Sequence, residues 1–289
     1  MNPDILVERA KIISAIRRFF DDQGFVEVET AVRIAAPAPE EHIDCPPVVG
    51  GGYLRASPEL QMKKLLAAGM DKIYQIGPCF REGERGSRHN PEFTMLEWYR
   101  RKAGYLDIRN DLESLVSRLF AGNREQGTEN RVLKVREAYR EHAGWDPWMD
   151  WDQDRFDFDM ATKIEPAIKS IGGGVFLMDY PPQAASLAKL SKHPNLPNFS
   201  YAERWEFYWD GLELANCFTE LCDRDEQLKR FEKAKEARKL LKESDYPLDY
   251  EFIDSLPQIE SAAGVALGID RLVMILTKMK EISAVRAPI

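Results

Sequence analysis

Two strand-like runs, 72–80 and 92–100, flank a segment too polar to bury: Arg81-Glu82-Gly83-Glu84-Arg85-Gly86-Ser87-Arg88-His89-Asn90. Backbone groups in such a segment need water or side-chain partners, so it reads as an exposed loop and the flanking runs as strands. Strands joined this way pair antiparallel, because parallel pairing needs a crossover, usually a helix. The hairpin therefore commits the chain to a sheet with antiparallel neighbours.

The remaining elements fit around it. Ile5, Ile12, Ile16, Phe19 and Phe20 fall on one stripe of a helix over 4–24, stopped by Gly24. Phe25 to Thr30 alternates like a strand, and Pro and Gly make 34–52 a loop leading to Tyr53-Leu54-Arg55. Helices are predicted over 59–69, 105–121, 224–243 and 270–279. Strand spacing marks 203–221, with Asp210-Gly211 as an internal turn, and a small-residue strand covers Ala262 to Gly268. Residues 122–175 show no clear period, and Tyr180-Pro181-Pro182 marks a break near Phe176. This order implies an α+β fold around an antiparallel sheet.

The 289 residues are 44% hydrophobic and 30% charged, as in an ordinary globular chain. No apolar run approaches a membrane span and the first residues have no signal-peptide layout, so the expected location is cytoplasmic. A net charge of −8 argues against non-specific coating of nucleic acid, although Arg100-Arg101-Lys102 forms either a local basic patch or a solvated helix face. Cys45, Cys79, Cys217 and Cys222 are scattered, without zinc-site spacing, and read as reduced thiols.

Four constellations suit chemistry. Arg81, the mobile-looking charged loop, His89 and Phe93 suit a polyphosphate with a purine stacked on the aromatic; the alternative is a surface hairpin with ion pairs. Gly264-Val265-Ala266-Leu267-Gly268-Ile269-Asp270-Arg271 joins a strand to a helix start. There the glycines permit close ligand approach, and Arg271 opposes the helix dipole. The alternative is a packed strand with Asp270 as N-cap. Glu206, Glu213 and Glu220 recur at spacing seven, suiting either a hard cation or a solvated acidic face. Ser57-Pro58-Glu59 opens a helix, with Ser57 as N-cap, and Glu97 sits between Leu96 and Trp98.

In this order the pieces resemble the class II aminoacyl-tRNA synthetase catalytic domain. Gly24-Phe25 with Val28-Glu29-Thr30 is similar to its first motif, Phe80 to Tyr99 to its second, and Gly264 to Arg271 to its third. Ser57-Pro58-Glu59, His89 to Tyr99 and Glu213-Leu214-Ala215-Asn216 resemble the lysine-specific branch. The likeness is nearest to the elongation factor P lysine ligases, shortened paralogues of lysyl-tRNA synthetase. It implies a single catalytic domain over 1–289 with no N-terminal anticodon-binding OB-fold. Three positions depart from the family pattern: Ala31 for Pro, Glu82-Gly83 for Asn-Glu, and Cys217 for Gly.

The resemblance also implies an activity and a site. The activity is ATP- and Mg2+-dependent activation of (R)-β-lysine or lysine as an adenylate, followed by transfer to a lysine of elongation factor P. A homodimer is implied, and tRNA is not the expected acceptor. Arg81 and Arg271 carry the catalytic role. ATP is met by Arg81, Glu82, Gly83, His89, Asn90, Phe93, Glu213, Leu214, Gly268 and Arg271, and magnesium by Glu206 and Glu213. The amino-acid pocket is lined by Ser57, Pro58, Glu59, Glu97, Tyr99, Asn216, Glu220 and Ala266, the last standing where lysyl-tRNA synthetases have Gly.

Overall fold

The computed structural model describes residues 2–120, 130–193, 196–241 and 243–287. They form two compact units: 1–102 with 221–262 and 266–289, and 103–220 with 263–265.

The first unit is built on the expected hairpin. Strand Lys72–Phe80 pairs antiparallel with Glu92–Arg101, in continuous register from Lys72 opposite Arg100 to Phe80 opposite Glu92. Helix Pro3–Asp22 packs against it. Asn2 caps the helix by accepting from the Asp4 amide at 3.0 Å, and Gly24, at φ +72°, turns the chain away. Phe20 is fully buried, stacked on Tyr74 (4.6 Å between ring centroids) and close to Trp98 and Phe25.

The strand expected over 25–30 is cut to Val26–Glu27, parallel to Ile73 and Tyr74. The Thr30 amide and hydroxyl turn to the Gln75 side chain, at 3.1 and 2.9 Å, in place of the backbone ladder. Within the 34–52 region, Arg33–Ile34 pairs with Tyr53–Leu54 across a loop. Helix Glu59–Ala67 starts where expected, but Pro58 rather than Ser57 stands at the cap position. Ser57 Oγ still accepts from the Glu59 amide at 2.9 Å.

The other helices of this unit are Arg224–Leu241, Tyr250–Ser255 and Ile269–Thr277. Gly268, not Asp270, is the N-cap of the last one. Asp270 stands inside the first turn, buried, in ion pairs with Arg9 (2.6 Å) and Arg286 (3.3 Å). Arg100 and Arg101 end a strand, so the helix-face alternative for that triplet is corrected.

In the second unit, Leu196–Trp209 is the central strand, antiparallel to Gly174–Tyr180, Leu190–His193 and Leu212–Thr219. Arg131–Lys134 adds a parallel edge to Gly174–Tyr180. Asp210 and Gly211 make the tight turn, both at positive φ (48° and 76°), as a two-residue hairpin connection needs. Helix Tyr105–Leu119 is as expected; residue 121 lies outside the described residues. The aperiodic middle third folds into short helices interrupted by π-helical segments, Tyr139–Ala143 and Met160–Ile164. A π turn advances the register by an extra residue, which erases the 3.6-residue apolar period. Tyr139, Phe156, Ile164 and Ile168 nevertheless join Val175 and Leu177 in one core.

Both units thus combine helices with mainly antiparallel strands, the expected α+β class. Phe20→Ala should lower the unfolding free energy by roughly 3–5 kcal/mol, read from chemical denaturation, because the stacked site cannot collapse onto a methyl group.

Candidate active site

Arg81 follows the last residue of the Lys72–Phe80 strand, and its amide donates to the Pro91 carbonyl at 2.9 Å, closing the base of the charged loop. Its guanidinium lies 5.1 Å from the centre of the Phe93 ring and 3.4 Å from Glu84 Oε1. The Glu82 amide donates to the Asp44 carbonyl at 2.8 Å, and Gly83 takes φ +75°. The Glu82-Gly83 departure therefore fits this turn, which a β-branched residue would strain. Arg271 Nη2 is 2.7 Å from His89 Nε2, and Arg271 Nε reaches the Arg88 carbonyl. Partial desolvation and then the Arg271 charge lower the His89 pKa, so the imidazole is neutral and accepts from the guanidinium. Arg81, Phe93, His89 and Arg271 thus converge on the charged loop; half-buried Asn90 lies within it. Ala266 and Gly268 are the half-exposed positions of the Ala262–Gly268 strand, alternating with buried Leu267, so they share one face.

A second cluster joins the start of helix Glu59–Ala67 to strand Glu92–Arg101. Glu97 is 1% exposed. Its carboxylate accepts from Ser57 Oγ at 2.7 Å and from the Tyr99 hydroxyl at 2.8 Å. Burial, then the neighbouring Glu59, raises its pKa to about 7. Glu59 Oε1 lies 2.5 Å from Lys63 Nζ, one helical turn on, and Pro58 is buried beside it. The sequence reading missed Lys63, although a lysine four residues after an acid on a helix facing a core was the available signal.

In the second unit the three glutamates do not behave as one stripe. Glu206 lies opposite Asn216 and Tyr208 opposite Glu213, with a bulge at Leu214. Opposed residues project to one side, and the bulge offsets the count by one, so Glu206, Glu213 and Asn216 share a face. Leu214 is buried on the core side, so any contact it makes with a ligand runs through its main chain. Cys217 also faces the core, which takes its sulfur away from the Glu213–Asn216 face. Glu220 is buried beyond the end of the strand, bridged through its backbone to Ala188.

Glu206 accepts from Arg204 Nη2 at 2.6 Å and from the Tyr208 hydroxyl at 2.7 Å. Arg204 Nε also donates to Asn216 Oδ1 at 3.1 Å. Arg204 was not anticipated; an arginine two residues before Glu206 in an aromatic run was the signal. Among the described residues, no group of three or more His, Cys, Asp or Glu forms a metal cluster. Two carboxylates on one face suit a magnesium ion whose remaining ligands are phosphate oxygens and water.

The family model of the tRNA synthetases class II (D, K and N) matches residues 2–287. The chain belongs to this family. Curated relatives of this class II chain include the elongation factor P--(R)-beta-lysine ligases of Yersinia enterocolitica serotype O:8 / biotype 1B, Yersinia pestis (strain Pestoides F) and Yersinia pseudotuberculosis serotype O:1b. Each is 36% identical over 315 residues, covering 98% of this chain and 94% of the relative. Among the described residues no helix of this class II chain is long and apolar enough to cross a membrane.

A buried acid with a raised pKa destabilises the fold once it ionises. The folded protein holds the Glu97 proton up to about pH 7, whereas the unfolded chain loses it near the ordinary carboxyl value. Stability should therefore fall as pH rises between those two values. Glu97→Gln should remove that fall, gaining on the order of 1–3 kcal/mol relative to wild type from acid to neutral pH in thermal or urea unfolding.

Proposed function

We propose that this class II chain is a ligase that activates (R)-β-lysine, or lysine, with ATP and transfers the aminoacyl group to a lysine side chain of elongation factor P. The observation that carries this is the Ser57–Glu59–Glu97–Tyr99 cluster in a member of this family: a buried Glu97 carboxyl oriented by two hydroxyls, beside a half-buried Glu59, placed to receive an ammonium group. A desolvated ammonium without a partner costs several kcal/mol, so such a cluster selects amino acids with a second amine. The relatives' printed names supply the acceptor and the β-lysine.

In this reading residues 1–289 act as one catalytic domain. Phe93 stacks on adenine, with Asn90 and the main chain of Leu214 beside the nucleotide. Arg81, Glu82 and Gly83 hold the α-phosphate region, and His89, Gly268 and Arg271 the outer phosphates. Glu206 and Glu213 would hold a magnesium ion, which would supply positive charge at the phosphates. A substrate carboxylate oxygen attacks the α-phosphorus and diphosphate leaves. Arg81 offsets the repulsion between these anions and the charge that develops in the transition state. The acceptor lysine amine, once neutral, then attacks the acyl carbon; an amide forms, the amine proton is released, and AMP departs. Glu59 meets the substrate's amino group, while Glu97, Tyr99, Asn216 and Glu220 line the place of its other amine. Ala266 lines the wall. Such an enzyme would work in the cytoplasm, as a homodimer, with tRNA not its acceptor.

The test is diphosphate exchange with lysine and both β-lysine enantiomers, followed by mass analysis of elongation factor P. Loading of bulk tRNA with elongation factor P unmodified would overturn the reading. Arg81→Ala and Arg271→Ala should each abolish exchange while leaving the unfolding curve in place. Ala266→Gly, which removes one methyl from the wall, should shift the kcat/KM ratio toward α-lysine by ~1–3 kcal/mol.

A further inference from the structure

Lys63 is 1% exposed, in the company of two carboxyl groups. A buried lysine is costly unless its charge is matched, and its match here is Glu59 at 2.5 Å. Ser57 links this pair to the next acid: its Oγ accepts from the Glu59 amide at 2.9 Å and donates to Glu97 Oε1 at 2.7 Å. Two acids and one resident ammonium therefore share a desolvated corner of the first unit.

We propose that Lys63 is a positioning residue that sets the charge of the amine subsite, so that the cluster exchanges one proton for one ammonium group of the substrate. This rests on the amine-recognition reading of the same cluster. With Lys63 paired to Glu59 and Glu97 protonated, these three groups together carry no net charge. When an ammonium enters, Glu97 releases its proton to solvent, and the cluster is neutral again with the ammonium in place. Neither state buries a net charge, which is the condition for low cost in a low-dielectric site.

The groups facing Glu97 agree with this. Glu59 and Lys63 come from the helix, Tyr99 from its own strand, and Gln75 opposite it in the hairpin register. Burial raises the pKa of the nearby Cys79 thiol; the Glu97 charge adds to that rise and Arg55 opposes it. Glu59 favours the Glu97 proton and Lys63 opposes it. Without Lys63 the ionised Glu59 is unbalanced, and Glu97 keeps its proton to higher pH.

The experiment is titration calorimetry of lysine and (R)-β-lysine without ATP, in buffers of differing ionisation heat, so that protons released on binding are counted. The side-chain amine of either ligand stays charged throughout, its ordinary pKa being about 10.4. Wild type should release about one proton at mildly acid pH and almost none at about pH 8. In Lys63→Met the release should persist at about pH 8, and Lys63→Arg should restore the wild-type profile. A merely structural lysine would change affinity or folding without moving this profile. Absence of proton release from wild type, an unmoved profile in Lys63→Met, or failure of either amine to bind wild type would each overturn the inference. Proton-coupled binding without any diphosphate exchange would sustain it and sink the adenylate-forming activity instead.

Discussion

Asp270 is 2% exposed and holds together segments far apart in sequence. One carboxylate pairs with Arg9 of the first helix and Arg286 near the end of the chain, and accepts from the Thr94 amide at 3.0 Å. Charge-assisted bonds to a buried acid are strong when satisfied and expensive when broken, so these segments are fixed as a set. The residue also sits in the first turn of helix Ile269–Thr277, where a negative charge suits the helix dipole. Arg271 follows immediately. Its side chain can therefore be aimed at His89 by a helix start that cannot rotate without releasing Asp270.

The buried acids of the first unit fall into two kinds. Asp270 is matched by guanidinium groups, which make it a structural tie. Glu97 accepts from two hydroxyls, which orient a carboxyl group without neutralising its charge. A group held that way gains most when a cation arrives from outside. In the second unit Glu206 resembles the first kind, since Arg204 already holds it, yet it shares its face with Glu213 and Asn216. A carboxylate with a guanidinium on one oxygen keeps lone pairs for a further positive partner.

Much of the fold was legible because its longest elements have strong periods. The hairpin strands over 72–80 and 92–101, the Asp210-Gly211 turn and the helices over 3–22 and 105–119 follow from apolar spacing and turn chemistry, and the helix over 224–241 from its long run of charged residues. The middle third was not legible because its π-helical segments break the period that pattern reading relies on. The strand expected over 25–30 was shortened by a side chain: Gln75 took the Thr30 amide that a longer ladder would have used. No local pattern announces that exchange.

By itself, the sequence determined the chemistry available. It carried arginines beside a charged loop, carboxylates within apolar strands, and a glycine-containing strand leading into a helix; residue type and spacing along one element are local properties. Tertiary structure alone decided which of these groups meet. Glu206, Glu213 and Asn216 share a face because a bulge at Leu214 offsets strict alternation, and a bulge is set by pairing with another strand. Lys63 belongs with Glu59 and Glu97 because the helix lays that residue against the strand and out of water. Burial raises Glu97 to about 7, whereas the same residue in an unfolded chain would titrate as an ordinary acid. Desolvation is a property of the packed neighbourhood, assembled from distant parts of the chain, and no single segment of sequence contains it.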